Sequence, residues 1–307
     1  MNRTTLNLAL VVVVAGLGAA VFFSQKKPVK LPPLTPFTAK TLDSVVLSHP
    51  GSPDIKLQKI HGAWQITAPV QTATDPFEMN AFTDLASEQV KTTFDPKQVD
   101  LKDLGLDPPA YSVTLNGQKI DFGGVEPINY GRYVLTGGKA RVIADPPGTA
   151  LDADYSDLVS RALLPDGAQI TAITLPGQTI TRSADDKSWT LTPAHPELKD
   201  ADIQKFADAW SHAKSMWNAA NPKANDSNSG KDESVEITLK GQAPIRFDVI
   251  SRTPELIIAR PDLGVRYTLS KQLVDALLQL PKPEPAPAAV TEKAATAPAT
   301  QSAVPKK

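Results

Sequence analysis

The chain has 307 residues, 41% hydrophobic and 21% charged, enough to bury one sizeable core or two modest ones and too apolar to be disordered throughout. Its 32 Lys and Arg against 33 Asp and Glu leave a formal charge of −1, with no long basic block interleaved with aromatics, so nucleic acid is not an expected partner. Having no cysteine, it has no disulfides, thiolate metal sites, cysteine nucleophile or lipidated N-terminal cysteine.

From Leu6 to Phe23 the chain runs 18 residues without a charge, broken only by Asn7. At about 1.5 Å per residue this is roughly 27 Å of helix, close to the thickness of a bilayer core. Residues 1–26 are therefore expected to form an N-terminal transmembrane anchor, contacting the cytoplasmic membrane through residues 6–23. The alternative is a cleaved signal peptide, for which Gly18-Ala19-Ala20 supplies small residues, although Val21-Phe22-Phe23 prolongs the apolar run. Orientation is a conflict of signals: Lys26, Lys27 and Lys30 follow the run, and the positive-inside rule taken literally leaves the body in the cytoplasm. The short N-terminal tail argues for a signal anchor with the body outside. Residues 27–37 are expected to be a Pro-rich spacer.

An internal repeat organises the rest of the chain. Trp64-Gln65-Ile66-Thr67 returns as Trp189-Thr190-Leu191-Thr192, each followed closely by Pro, and Asp75 is answered by Asp200. Thr114-Leu115-Asn116-Gly117-Gln118 returns as Thr238-Leu239-Lys240-Gly241-Gln242, Pro50-Gly51 as Pro176-Gly177, and Leu158-Val159 as Leu273-Val274. Five colinear matches, most at nearly constant spacing, place one unit at 38–165 and a second at 166–281. Separate domains, or one continuous sheet or core with a pseudo-twofold, are both open, and the short Pro165-Asp166-Gly167 connection favours a shared interface.

Each unit shows the same local pattern. Val45–Leu47, Ile55–Leu57 and Trp64–Ile66 are short alternating or apolar runs parted by turn residues, the mark of an antiparallel meander. A helix starts at Asp75, with Pro76 at its first position, Glu78 placed for a capping box, and Phe77, Ala81, Phe82 and Leu85 as the apolar face. In the second unit Ile203, Phe206, Ala207, Trp210 and Trp217 form the matching stripe. Strands are expected at Tyr111–Leu115, Lys119–Phe122, Arg132–Leu135 and Ala140–Ala144, and at Val235–Leu239, Ile245–Ile250, Glu255–Ala259 and Arg266–Leu269. A closing helix ends each unit, the last capped by Ser270. The fold class is thus α+β: a transmembrane helix, then two tandem repeats of mainly antiparallel sheet with packed helices, β-β-β-α-β-β-β-β-α each. From residue 281 onward 6 Pro and 8 Ala in 27 residues, with no aromatic, make a disordered Pro/Ala-rich tail at 282–307 the expectation.

No catalytic, cofactor or metal residue stands out. His49, His61, His195 and His212 are not paired at metal-ligand spacing and are expected at the surface. Asp152, Asp154 and Asp157 lack the Gly and bidentate Glu of a calcium loop, so helix capping is expected rather than a hard cation. Gly123-Gly124 and Gly137-Gly138 lie outside any phosphate-cradling frame and are expected in hairpin turns. Trp64 and Trp189, at equivalent places, are expected as core anchors, as are Trp210 and Trp217, and Asn218–Lys231 as a surface loop.

Trp64 with Thr67-Ala68-Pro69, Leu-Gly-Leu-Asp-Pro-Pro at 104–109, Phe122-Gly123-Gly124, Arg132-Tyr133-Val134 and Arg-Ala-Leu-Leu-Pro at 161–165 together make the chain resemble the bacterial domain of unknown function family 4340 from Leu42 to Trp217. The resemblance implies an N-terminally anchored envelope protein of the bacterial inner membrane with a periplasmic body, in some members alongside ABC-transporter genes of the gliding-motility type. It supplies no functional residues. The expectation is a membrane-anchored, non-enzymatic protein-interaction module with an unknown envelope protein partner, accessory to an ABC-type transport or motility complex. A small-molecule or glycan-binding accessory with a site between the repeats is the alternative, and a hydrolase built from distant carboxylates a third reading.

Overall fold

The computed structural model describes residues 2–24, 31–95, 97–146, 150–195, 197–221 and 233–280. The chain opens with helix α1 (Arg3–Ser24) and divides into two compact units, Met1–Ser160 and Arg161–Lys307.

The first unit contains β1 (Ser44–Ser48), β2 (Ile55–Ile60), β3 (Ala63–Ala68), β4 (Thr72–Ala73), α2 (Pro76–Ala86), β5 (Thr92–Phe94), β6 (Tyr111–Leu115), β7 (Gln118–Val125), β8 (Gly131–Thr136), β9 (Lys139–Ala144), a 3-10 turn at Ala150–Asp152 and α3 (Tyr155–Leu158). The second contains β10 (Ile170–Leu175), β11 (Gln178–Arg182), β12 (Trp189–Thr192), α4 (Asp200–His212), β13 (Trp217–Ala220), β14 (Ser234–Leu239), β15 (Ile245–Ser251), β16 (Leu256–Arg260), β17 (Val265–Leu269) and α5 (Leu273–Leu278). The sheets are separate and antiparallel. Their orders are β4-β3-β2-β1-β6-β7-β8-β9-β5 and β12-β11-β10-β14-β15-β16-β17-β13. Apart from β4 the two orders are the same, with the strand that follows the helix crossing to the far edge.

Alternation explains the register. In β1 the buried Val45 and Leu47 face Leu57 and Ile55 of β2 on one side and Leu115 and Val113 of β6 on the other. In the second unit Ile173 of β10 likewise stands between Ile180 and Ile237. A one-residue slip would turn every such pair to water, so the pattern fixes the pairing. Each helix follows its third main strand. Asp75 caps α2 by accepting from Phe77 N at 2.8 Å, Pro76 takes the first position, and Met79, Phe82, Leu85 and Ala86 are buried. In α4 the buried face is Ile203, Phe206, Ala207 and Trp210. Before β1, Leu34 and Leu42 are buried, and Thr35 Oγ1 donates to Ala86 O at 2.6 Å, fastening this segment to the end of α2.

The expected fold class is corrected in its first element. Among the described residues no helix is long and apolar enough to cross a membrane. This overturns the transmembrane anchor and, with it, the single-pass placement in a bacterial inner membrane with a periplasmic body. Lys26, Lys27, Lys30 and residues 282–307 lie outside the described residues, as do residues 27–30 of the expected spacer.

Packing brings smaller corrections. Each unit has one strand more after its helix than expected, β5 and β13, short edge pieces hydrogen-bonded to β9 and β17. Trp217 is therefore not on the helix but in β13, and Asn218–Ala220, expected in a loop, share that strand, while residues 222–231 lie outside the described residues. Phe77 projects into solvent from the first turn of α2. The last helix starts at Leu273, after Gln272, and Ser270 precedes it.

Candidate functional site

Two features of the first unit are candidates for a functional site. One is a recess of about 500 Å³ at the end of the sheet where β1 turns into β2. Pro53 and Ile55 come from the β1–β2 turn and the start of β2, and Pro69 and Val70 from the exit of β3. Facing these apolar groups are His49, Asp152, Asp154 and Tyr155. His49 Nε2 lies 3.1 Å from Asp152 Oδ1 across 103 residues of sequence, with the histidine side chain 19% exposed and the aspartate 74%. Behind it Tyr111 meets the His49 ring at 5.8 Å and stacks on Phe122 at 4.6 Å, so the imidazole is backed by aromatic surface.

The electrostatics are set by this geometry. Burial pushes the Tyr111 phenol up to about 12; Arg132 opposes the shift, and the charges of Asp152 and Asp145 add to it. Tyr155 is also raised, by burial and then by Asp154. Asp154 caps α3, accepting from Ser156 N at 2.8 Å, and Asp157 returns the bond by accepting from Asp154 N at 3.1 Å. Burial holds Asp157 above the usual carboxylate range, against the lowering effect of that Asp154 N–H bond. Capping thus occupies Asp154 and Asp157, whereas Asp152 faces His49.

The second unit has a recess of about 430 Å³ at the equivalent place, lined by Pro176 of the β10–β11 turn, His195 after β12 and Leu278 of α5. Its polar side differs: Glu233 is paired there with Arg252. Each recess is lined by residues of a single unit.

The other feature is the β7–β8 hairpin tip. Ile128 and Tyr130 are 80% and 76% exposed, and Val125 beside them is 46% exposed. Beneath them the buried Glu126 carboxylate accepts from Ile128 N at 3.0 Å and Asn129 N at 2.8 Å. These bonds, Asn129 N–H first, hold its carboxyl below the usual range against the raising effect of burial. Tyr130 has φ of 53°, a left-handed conformation that a bulky L-residue adopts only where its surroundings impose it.

The candidates read from sequence fall in different places. His61 and His195 are exposed, and exposed His212 keeps Nδ1 2.8 Å from Asp208 O. His49, expected at the surface, is half-enclosed in the recess. Gly137-Gly138 form the β8–β9 turn with φ of 57° and 69°. Gly123-Gly124 are not in a turn but within β7, where a Cβ on Gly123 would come 2.4 Å from Leu104 O. Trp64 is half-buried rather than a core anchor, and Trp189 is buried. Both stand opposite a base on the preceding strand: Lys59 Nζ lies 5.9 Å from the Trp64 ring, and the Arg182 guanidinium 5.1 Å from the Trp189 ring. The central aromatics are instead Phe82 and Phe122 in one unit and Trp210, Phe247 and Tyr267 in the other. Sequence reasoning misses Tyr111, Tyr155, Glu126, Ile128 and Tyr130 as functional candidates. For the tip the available signal is an Ile and a Tyr inside the turn Glu126-Pro127-Ile128-Asn129-Tyr130.

Two antiparallel sheets of one strand order, each with a helix after its third main strand and a recess at the same end, define a duplicated β-rich module. The chain belongs to the family described as domain of unknown function 4340 (DUF4340), whose model matches residues 64–229, more than half of the chain. No curated protein and no solved structure matches it.

Proposed function

We propose that this chain acts by protein–protein contact, as a non-enzymatic interaction module, and that the β7–β8 tip is its point of contact. The supporting observation is the tip's combination of exposure and order: Ile128 and Tyr130 stand in water while Glu126 ties down the backbone beneath them. Burying either side chain in a partner gains about 1.5–3 kcal/mol. A tip already held in one conformation loses little entropy on docking. The complementary surface is an apolar cleft on another protein, and a transport-complex component is one class of partner that would present it.

The test places a photo-crosslinking amino acid at position 128 and, as a control, at the exposed position 56 of β2, in the full chain in its native cell. The expected result is a discrete adduct from position 128 that is absent from position 56 and lost with Tyr130→Asp. Equal labelling from both positions, or an adduct indifferent to Tyr130→Asp, rejects the reading.

A further inference from the structure

We propose that the recess of the first unit binds a small organic cation, an ammonium group on an apolar body, with Asp152 as its counter-ion. This is independent of the hairpin tip.

Size is the first argument. About 500 Å³ lies within the range of small-molecule sites, roughly 300–1,000 Å³. Charge is the second. Asp152 and Asp154 line the recess and, among the described residues, no lysine or arginine does. Asp154 is engaged at the start of α3, but Asp152 is held from one side only: His49 contacts Oδ1, and Oδ2 takes no hydrogen bond from the described residues. A carboxylate oriented by one oxygen and open at the other is arranged to accept an N–H donor carrying positive charge. The apolar wall is the third. A hydrated inorganic ion would leave Pro53, Pro69 and Val70 against water, whereas an ammonium on an aryl or alkyl body satisfies both sides of the recess.

The second unit supplies an internal control. Its recess occupies the same place in the repeat, but its carboxylate, Glu233, is already neutralised by Arg252. The preference for a cation therefore belongs to the first recess alone.

Full-length protein is titrated with benzylamine, benzyl alcohol and benzoate, compounds of similar shape and different charge. Binding is read by calorimetry and by amide shifts at Val70 and Ala153. Benzylamine is expected to bind about tenfold more tightly than benzyl alcohol, and benzoate more weakly still. Asp152→Asn keeps the oxygen facing His49 and removes the charge, and is expected to bring amine and alcohol to equal affinity. Asp152→Lys is expected to abolish amine binding while unfolding transitions stay unchanged, since the side chain is exposed. Equal affinity of amine and alcohol for the wild type, an amine affinity unaffected by Asp152→Asn, or shifts confined to residues around Glu233 and Arg252 overturns the proposal. So does the absence of any benzylamine shift at Val70 and Ala153.

Discussion

The β7–β8 connection of the first unit, residues 126–130, carries an aliphatic and an aromatic side chain into water above a buried carboxylate. The β15–β16 connection of the second, residues 252–255, is Arg-Thr-Pro-Glu and presents no such group. Yet the strands that lead into these connections pair in the same order and in the same register, down to the facing Tyr111–Phe122 and Val235–Phe247 pairs. The interior is fixed by hydrophobic alternation and register, which tolerate little change, while the ends of strands answer to solvent and are free to diverge.

The cores also differ at one helical position, and this difference carries the largest expected effect. Met79, Phe82 and Ala86 of α2 correspond to Ile203, Phe206 and Trp210 of α4, so one unit places an alanine where the other places a tryptophan. The first unit fills its core from elsewhere, through Leu34 and Leu42 ahead of β1. The second relies on Trp210, fully buried, packed 5.3 Å from Phe247 and donating from Nε1 to Leu277 O at 3.0 Å. Trp210→Ala is expected to cost the second unit about 3–5 kcal/mol, and Leu34→Ala to cost the first about 2–5 kcal/mol. Denaturant titration followed by amide exchange at Ile258 and Ile120 assigns each loss to its unit. A Trp210→Ala cost below about 1 kcal/mol would show that α4 does not depend on the side chain that distinguishes it.

A second difference lies in β7 and β15. Gly123 stands where the second unit has Asp248, whose side chain pairs with Arg246 at 2.6 Å. Gly123 faces the Leu104–Leu106 loop, and Gly124 N donates to Leu104 O at 2.8 Å. Because the nearest obstacle to a side chain there is backbone, Gly123→Ala is expected to cost about 1–3 kcal/mol and to loosen that loop. Asp248→Ala in the second unit should lose only an ion pair that is partly exposed. Thermal unfolding of the two variants compares them directly, and equal costs would remove the distinction between the strands.

How much of the fold is legible in the sequence depends on the range of the signal. Period-two alternation places the long strands, and Asp75-Pro76 places the start of α2, because both are local. The three residues of β5 and the four of β13 are too short for a period, and their pairing is decided at the far edge of the sheet. For that reason the apolar stripe of α4 draws in Trp217, which belongs to a strand. Equivalent placement in the repeat and the apolar alternation around it point Trp64 to the core, whereas its partner Lys59 is a matter of cross-strand register. Length and composition alone make the apolar run at Leu6–Phe23 look like a membrane span. The recess is the least legible feature, because His49 and Asp152 meet only after the whole strand order of the first unit is in place. The hairpin tip is local and still escapes, as exposed apolar residues in a turn carry no periodic mark.

The smallest expected effect tests whether Glu126 is what gives the tip its order. Its carboxylate is favoured in the folded chain by the N–H groups of Asn129 and Ile128, so its folded value lies below its ordinary value of about 4.5. A carboxyl depressed on folding contributes stability that is complete above the ordinary value and is lost as pH falls through the depressed one. Protonation then removes the charge that makes these bonds strong. Amide exchange at Ile128 and Asn129, corrected for its intrinsic pH dependence, should therefore lose protection as pH falls below about 4.5, while the amide of Ile257, within β16 of the second unit, serves as reference. Glu126→Gln should show weakened protection at the tip at every pH and no such transition. If wild type and Glu126→Gln behave alike across this range, the tip owes its conformation to the strands beneath it, and the two units differ there only in the side chains they expose.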